Sequence, residues 1–485
     1  MIRNKVKLLC LSLVLASFLT ACSESGVPSK AAKPKVISET VVDGEVIGTV
    51  LDIGIYKSFD EDSVLAALNA NASTLLNKPA CTCVVKDRSA EGKGLLIGRN
   101  MDYSLSDGPV FVYQLNYGKY KTIGITCFSS MVPAEEAKKG LTSETDKAIL
   151  SMIPAFGQDF LNEKGLYIEM DMRNLDYGTD PYNDFKPSKW YCSGTNPGKG
   201  LPDVFYAMVP FYVSTKCSTV PEVIDMLRNK INIYTTVTDR ETFKNIVCKD
   251  WNLCFMVADA LGNYGLIEIA DNKIVYIPRA VAQTNFYEND VFARNELFPT
   301  GGWGKRASTN WKSADWENID GPYRDGIKSR YAVAIENLDN IHTTLDMQEN
   351  MRKIFYSQVY ANKAAGVNAK INKNMNSQIN PRYEMVQCWP LVRTGSGPDD
   401  WKLDFEKGNI YACTFDVLTG MSSSKFNSLY KEYLKHHYAG KSKAQLLADN
   451  EDYWVTVQSV VTDIDARKWT VTFFEGTESY ELTIK

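Results

Sequence analysis

The stretch Ala80-Cys81-Thr82-Cys83-Val84-Val85 is short, apolar and rich in β-branched residues. A second apolar stretch, Leu95-Leu96-Ile97-Gly98-Arg99-Asn100, follows a turn that contains two glycines. Two such runs around a glycine-containing turn predict an antiparallel hairpin of Cys81–Lys86 and Leu95–Asn100. A cysteine then opens one strand, while Arg99 and Asp102 end its partner. Three groups of complementary chemistry are therefore predicted to meet at one edge of a sheet.

The rest of the chain alternates between strand and helix patterns. Strands are predicted at Leu166–Met172, Leu253–Ala258, Leu266–Ile269, Lys273–Ile277, Trp469–Phe474 and Tyr480–Ile484. Helices are predicted at Asp60–Leu76, Thr219–Ile231, Arg330–Ile341 and Phe426–Leu434. Many antiparallel strands mixed with helices predict an α+β layered domain.

Composition excludes several classes of protein. The 485 residues are 44% hydrophobic and 23% charged, which is typical of a globular protein and excludes a disordered one. The formal net charge of −4 leaves no basic surplus for phosphates, so a nucleic-acid partner is not expected. With only three histidines in the chain, a histidine-rich metal site is not expected either.

The N-terminus has the features of an export signal. Three basic residues precede the apolar run Leu8–Leu19, which is too short to span a bilayer. The following Leu19-Thr20-Ala21-Cys22 resembles a bacterial lipobox, in which the cysteine thiol carries the lipid. Removal of residues 1–21 would change the net charge from −4 to −7. An ordinary secretory signal with an incidental cysteine is the alternative.

These features predict a division of the chain and a location in the cell envelope. Residues 1–21 are a signal peptide, 22–40 a lipid-bearing flexible tether and 41–80 a prosegment packed on the main domain, 81–485. A membrane facing the periplasm or the outside is the expected partner, bound through lipid on Cys22. The sequence leaves open whether the protein forms a homo-oligomer.

Cysteine usage indicates a thiol that is kept free. Of eleven cysteines, Cys10 leaves with the signal and Cys22 would carry lipid. An odd number, nine, remains in an exported chain. The thiolate is the nucleophilic form, and a thiol with a pKa near 8.5 needs a base to reach it. The three histidines lie far along the chain; if Cys81 is N-terminal, its own α-amine can serve as that base.

Five motifs, taken in order, resemble the N-terminal nucleophile (Ntn) hydrolases of the choloylglycine hydrolase and acid-ceramidase-like family. They are Cys81-Thr82, Gly98-Arg99-Asn100-Met101-Asp102, Asn162-Glu163-Lys164-Gly165-Leu166, Thr284-Asn285-Phe286 and Ser329-Arg330-Tyr331. The resemblance covers residues 81 to 350 and 450 to 485. Residues 355–450 are not placed by it and are interpreted as an insertion.

The resemblance implies a fold and an activity. The fold is an α+β, four-layer αββα sandwich of two antiparallel sheets flanked by helices. The activity is hydrolysis of linear amide C–N bonds in N-acyl compounds, such as conjugated bile salts, N-acylethanolamides or other fatty acid amides, through a thioester acyl-enzyme. No metal or organic cofactor is expected. Cleavage of the Ala80–Cys81 bond would expose the Cys81 amine.

The resemblance also implies a role for each motif residue. Cys81 is the nucleophile and, through its amine, the base. Arg99 lowers the thiol pKa and binds the substrate, and Asp102 orients the α-ammonium. Two asparagines, Asn162 and Asn285, donate hydrogen bonds to the oxyanion. Arg330 supports the site electrostatically.

Other interpretations stay open. Cys83, on the same strand face, is the rival nucleophile. Arg99 and Asp102 could form a simple hairpin ion pair. Glu169 and Asp171 alternate with apolar residues, which predicts a solvent-facing strand face. An acyltransferase of the same fold, or a non-catalytic lipoprotein that binds lipids or glycans, is the alternative function.

Overall fold

A computed structural model describes the following parts of the chain: residues 34–42, 45–56, 80–104, 110–126, 153–173, 194–234, 252–270, 272–283, 334–335, 338–352, 391–404, 421–422, 424–425, 428–429, 432, 454–473 and 479–485.

The described strands are β1 (Lys35–Val42), β2 (Glu45–Ile55), β3 (Ala80–Lys86), β4 (Leu96–Ser104), β5 (Val110–Tyr117), β6 (Tyr120–Thr126), β7 (Asp159–Asn162), β8 (Tyr167–Arg173), β9 (Asp203–Phe205), β10 (Asn232–Tyr234), β11 (Asn252–Ala258), β12 (Tyr264–Ala270), β13 (Lys273–Pro278), β14 (Ala282–Gln283), β15 (Leu391–Arg393), β16 (Trp401–Leu403), β17 (Trp454–Asp463), β18 (Lys468–Phe473) and β19 (Ser479–Thr483). The described α-helices of six or more residues are α1 (Val209–Ser214), α2 (Val220–Asn229) and α3 (Thr344–Arg352).

Two large sheets dominate the described residues. A nine-stranded sheet has the order β1-β2-β5-β6-β7-β8-β11-β12-β13, and a six-stranded sheet has the order β14-β3-β4-β17-β18-β19. Neighbouring strands of both sheets are antiparallel except β2 and β5, which run parallel. The chain leaves β2, builds the β3–β4 hairpin of the other sheet and then returns as β5, and such a crossover permits parallel pairing.

The sheets pack face to face between layers of helix. One apolar core lies between the two sheets and includes Val50, Ile97, Leu161 and Val460. A second core lies between the nine-stranded sheet and the segment that carries α1 and α2. Helix α3 covers the outer face of the six-stranded sheet, where a methyl group added at Gly98 would lie 2.7 Å from its methionine side chains. The predicted α+β, four-layer sandwich is confirmed, and within its two large sheets, as described, β2–β5 is the one parallel pair.

Strands β1 and β2, which precede Cys81 in the chain, belong to this sandwich. Strand β2 lies inside the nine-stranded sheet, between β1 and β5. Its Val50 side chain enters the core between the sheets, while Leu51 and Ile53 enter the core under the helices. Strand β1 begins at Lys35, so residues 35–40 of the range predicted as a tether form part of the sheet.

Several local predictions are confirmed. The β3–β4 hairpin, the β11–β12–β13 meander and the β18–β19 hairpin form as expected. Helix α2 begins after Thr219, whose hydroxyl accepts a hydrogen bond from the Glu222 backbone N–H. The helix predicted at Asp60–Leu76 lies outside the described residues, as do half of Arg330–Ile341 and most of both Phe426–Leu434 and the unplaced 355–450 segment. Within Arg330–Ile341, Leu338–Asn340 form a 3-10 turn. No helix in the described ranges is long and apolar enough to cross a membrane.

Candidate active site

The β3–β4 hairpin positions the candidate nucleophile. Cys81 lies directly opposite Met101, and Cys83 lies directly opposite Arg99. Directly opposite residues of an antiparallel pair share a face of the sheet. All four side chains are buried, and the two cysteines and Met101 belong to the core between the sheets. The hairpin therefore presents Cys81 and Arg99 to the inner face of the nine-stranded sheet.

Arg99 is the centre of a polar cluster in this apolar layer. Its Nη2 lies 3.4 Å from the Cys81 Sγ and donates to the Met170 carbonyl oxygen at 3.0 Å. Its Nε lies 3.1 Å from a carboxylate oxygen of Asp159 and 3.3 Å from one of Glu169. A carboxylate oxygen of Asp171 lies 3.8 Å from Nη2. One guanidinium thus links the candidate thiol to three acids.

These acids come from the facing sheet and are fully buried. Asp159 lies opposite Glu169 on the neighbouring strands β7 and β8, and Asp171 lies two residues further along β8. All three have 0% exposure. The prediction that Glu169 and Asp171 form a solvent-facing strand face is therefore wrong. The alternation does mark two faces of β8, but the second sheet covers the polar face, where Arg99 lies within 3.8 Å of both acids.

Burial controls the protonation of the cluster. Burial raises the pKa of Asp159 to about 7, although Arg99 opposes the shift. Burial and the neighbouring Asp171 raise the pKa of Glu169. Burial disfavours the charged form of Arg99, but Asp159, Cys81 and Glu169 outweigh it and raise the pKa of the guanidinium. The arginine keeps its charge, and Asp159, with a pKa of about 7, changes protonation near neutral pH.

Two opposing effects act on the pKa of the Cys81 thiol. Burial raises its pKa well above the usual value, and the adjacent Arg99 lowers it. The sulfur also lies 3.5 Å from the Met101 Sδ. Burial raises the pKa of the Cys83 thiol as well. Although Cys83 is directly opposite Arg99 in the hairpin, the guanidinium contacts the Cys81 sulfur, which favours Cys81 over its rival.

Asp102 lies on the other face of the six-stranded sheet from Arg99. The outer face is marked by Asn100, whose amide donates to the Met351 carbonyl oxygen of α3 at 2.9 Å. Asp102 accepts a hydrogen bond of 2.6 Å from the Thr456 hydroxyl and lies directly opposite Ala80. It therefore lies beside the Ala80–Cys81 bond. Arg99 pairs with acids of the other sheet, so these two residues do not form a simple hairpin ion pair.

The Asn162 side chain connects the β7–β8 turn to the chain around the end of α1 through backbone hydrogen bonds. Its amide nitrogen donates to the carbonyl oxygens of Ser214 and Cys217 at 2.9 and 2.8 Å. Its oxygen accepts from the backbone of Lys164 and Leu166, both at 3.0 Å. Both amide protons are therefore used on the helix-covered face of the sheet, away from Cys81. We accordingly do not assign the oxyanion to Asn162.

The remaining predicted residues fall outside the described ranges. These are Asn285, Arg330 and the lipidation candidate Cys22. Before Asn285, the described chain ends at Gln283 on β14, which pairs with β3 opposite Cys83. The roles assigned to these residues stay predictions.

The sequence patterns did not single out Asp159, and they assigned Glu169 and Asp171 to solvent. Asp159 follows Gln158 and precedes the apolar pair Phe160–Leu161, and Glu169 and Asp171 alternate with Ile168, Met170 and Met172. The available signal was the presence of three acids in two short strands that otherwise contain many apolar residues. Within the described residues, no group of three or more His, Cys, Asp or Glu side chains has the geometry to hold a metal ion.

Comparisons with known proteins give distant similarities. No protein-family model matches the chain, and no curated protein matches it. Among solved structures, a mutant conjugated bile acid hydrolase from Clostridium perfringens is 13% identical, with a TM-score of 0.40, over 83% of this chain and 92% of that chain. A penicillin V acylase from Agrobacterium tumefaciens is 13% identical, with a TM-score of 0.36, over 83% of this chain and 86% of that chain. Similarities at this level do not identify an activity or a substrate.

Proposed function

We propose that the chain is an autoprocessed N-terminal-cysteine amidohydrolase that cleaves linear amide C–N bonds of N-acyl compounds. The observation that carries the proposal is the 3.4 Å contact between the Arg99 guanidinium and the Cys81 sulfur, inside a buried cluster of carboxyl groups. A permanent cation beside a thiol favours the thiolate, which is the nucleophilic form. Buried acids with raised pKa values are typical of functional sites.

Self-processing is the first step of the proposed mechanism. The Cys81 sulfur attacks the Ala80 carbonyl carbon, a C–S bond forms, and the peptide C–N bond breaks. The thiol proton ends on the released Cys81 amine. Water then hydrolyses the thioester, which gives a carboxylate at Ala80 and restores the thiol. Since no amine is free before cleavage, an ionised carboxyl group of the cluster takes the thiol proton and passes it to the amine as the C–N bond breaks.

Turnover uses the same atoms with the substrate amide in place of the Ala80–Cys81 bond. The α-amine of Cys81 takes the thiol proton, and the thiolate attacks the substrate carbonyl. The leaving amine takes that proton as the C–N bond breaks, and water hydrolyses the thioester. Because Asp102 lies directly opposite Ala80 in the hairpin, it is well placed to hold the new α-ammonium of Cys81.

The fragment before Cys81 stays docked after cleavage in this proposal. Strand β2 is an internal strand, and its side chains enter both apolar cores. Removing it would expose Val50, Leu51 and Ile53, each of which stabilises the fold by about 1.5–3 kcal/mol when buried. If Cys22 carries lipid, this noncovalent association is what anchors the mature enzyme to the membrane.

The substrate belongs to the class of N-acyl amides. Conjugated bile salts, N-acylethanolamides and other fatty acid amides are the candidates that the sequence motifs suggest. The chemistry assigned to the chain needs only sulfur, amine, carboxyl and guanidinium groups.

Parallel substitution of the two hairpin cysteines tests the proposal. Cys81→Ser should abolish or strongly slow processing and hydrolysis of an N-acyl amide panel, while Cys83→Ser should retain both. Intact-mass spectrometry follows processing, and chromatography of released amine follows hydrolysis. An unprocessed wild-type chain, or loss of activity in Cys83→Ser alone, would refute the assignment.

A further inference from the structure

A row of four side chains crosses the inner face of the six-stranded sheet. Cys81, Met101, Gln458 and Phe473 lie directly opposite one another on β3, β4, β17 and β18. Cys81, Met101 and Phe473 belong to the core between the sheets. Because directly opposite residues share a face, Gln458 points into the same layer as the candidate nucleophile.

Gln458 is a buried amide that forms no side-chain hydrogen bond within the described part of the chain. Its exposure is 0%, and neither its oxygen nor its nitrogen has a hydrogen-bond partner among the described residues. Buried side-chain amides are normally paired, because an unpaired one loses its hydrogen bonds to water without replacement. The pairing of β17 with β4 also shifts register between Thr456 and Gln458. Such irregularities re-aim side chains and are common beside active sites.

We propose that Gln458 is a specificity-determining residue whose side-chain amide binds a neutral hydrogen-bonding group of the N-acyl substrate, a hydroxyl or a second amide. This inference rests on the proposed hydrolase function. A neutral amide can donate and accept but offers no counter-charge, and a charged group buried against it would lose its hydration without compensation.

The spacing of the strands in this row also sets the distance between the scissile carbonyl at Cys81 and the substrate group bound by Gln458. Neighbouring strands lie about 4.8 Å apart, so the Gln458 backbone is roughly 9–10 Å from that of Cys81. Met101 lies between them, and its sulfur contacts the Cys81 sulfur at 3.5 Å. A fitting substrate has its scissile carbonyl at Cys81, an apolar stretch over Met101 and a polar group at Gln458.

Gln458→Leu, with Thr462→Val as its matched control, tests the inference in the full-length, processed protein. Thr462 lies on the same strand and the same face, opposite Ile97 and Trp469, and its buried hydroxyl has no partner among the described residues. The substrates are N-acyl amides of equal length that carry a hydroxyl on the acyl chain, a hydroxyl on the amine portion, or none. Moving the hydroxyl along the chain locates the preferred distance.

We expect the wild type to favour the matching hydroxylated substrate by about tenfold or more in kcat/KM, since a site built to bond a hydroxyl discriminates against the analogue that lacks it. Gln458→Leu should lose most of this preference, and Thr462→Val should keep it. The hydroxylated substrate that the wild type prefers shows whether Gln458 recognises the acyl or the amine portion.

Two results would overturn the inference while leaving the hydrolase intact: equal hydrolysis of all three substrates by the wild type, or an unchanged preference in Gln458→Leu. If the wild type hydrolyses no N-acyl amide, the proposed function fails and this inference fails with it. Circular dichroism and processing of the chain check folding. Gln458→Met, which matches glutamine in length, replaces the leucine variant if that variant does not fold.

Discussion

The pKa of Asp159 is raised by burial and lowered by Arg99, and the pH dependence of stability tests which effect is larger. Burial raises the pKa of this carboxyl to about 7 despite the arginine beside it. Between the unfolded and folded pKa values the folded protein binds the extra proton, so stability is highest at low pH and falls as pH rises toward 7. Each pH unit in that range costs about 1.4 kcal/mol. From pH 5 to pH 8 the loss due to Asp159 is therefore about 2.7 kcal/mol.

Asp159→Asn removes this titration and keeps the side-chain shape. In a Cys81→Ala background, which keeps the chain uncleaved, the free energy of unfolding in urea is measured for both proteins from pH 5 to pH 8. The asparagine variant should gain about 2.7 kcal/mol relative to its background across that range. Glu163→Gln, on the β7–β8 turn, is the control and should keep the background pH dependence.

The opposite sign would refute the reasoning. If Asp159→Asn becomes progressively less stable than its background as pH rises, the ionised carboxylate stabilises the fold. The ion pair with Arg99 would then outweigh burial, and the pKa of Asp159 would be lowered rather than raised.

Three further predictions concern the frame around the site. Asn162→Ala should lower the free energy of unfolding by about 1–3 kcal/mol, because buried partners lose their hydrogen bonds. Folded Asn162→Ala protein should still be cleaved before Cys81, which intact-mass spectrometry detects. Complete loss of cleavage in folded protein would show that Asn162 acts in catalysis. Gly98→Ala should lower the free energy of unfolding by about 1–3 kcal/mol, because the added methyl group overpacks against α3. Thermal unfolding measures the loss, and adding Met351→Ala should restore part of the stability. An unchanged Tm in Gly98→Ala would contradict the packing. After processing, the fragment that carries β1 and β2 should co-elute with the chain that starts at Cys81 in gel filtration and separate only in denaturant; separation in native buffer would show that β2 is not held by the two cores.

Local signals predicted the hairpin and the layered fold. The β3–β4 pair is encoded by two apolar runs around a glycine-containing turn, and such short-range information is present in the sequence itself. The same holds for the cap of α2, where Thr219 and Glu222 occupy the required spacing.

Which residues form the site depends on packing between distant segments of the chain, and the periodicity of one strand carries no information about that packing. Alternation along β8 separates Glu169 and Asp171 from the apolar residues between them, but it does not tell which face meets solvent. Here a second sheet covers the polar face and brings Arg99 to it. Asn162 illustrates the reverse case: its motif was recognised, while its hydrogen bonds to the end of the α1 segment depend on the tertiary fold.

The central claim is that the Cys81 sulfur becomes acylated next to its own free amino group. Acid-quenched protein from an incubation with a slowly hydrolysed N-acyl amide, analysed by intact and peptide mass spectrometry, tests it directly. The account predicts a chain that begins at Cys81 and carries one acyl group as a thioester on that residue. An acyl group on Cys83, or a chain in which residues 80 and 81 are still joined during turnover, would contradict it.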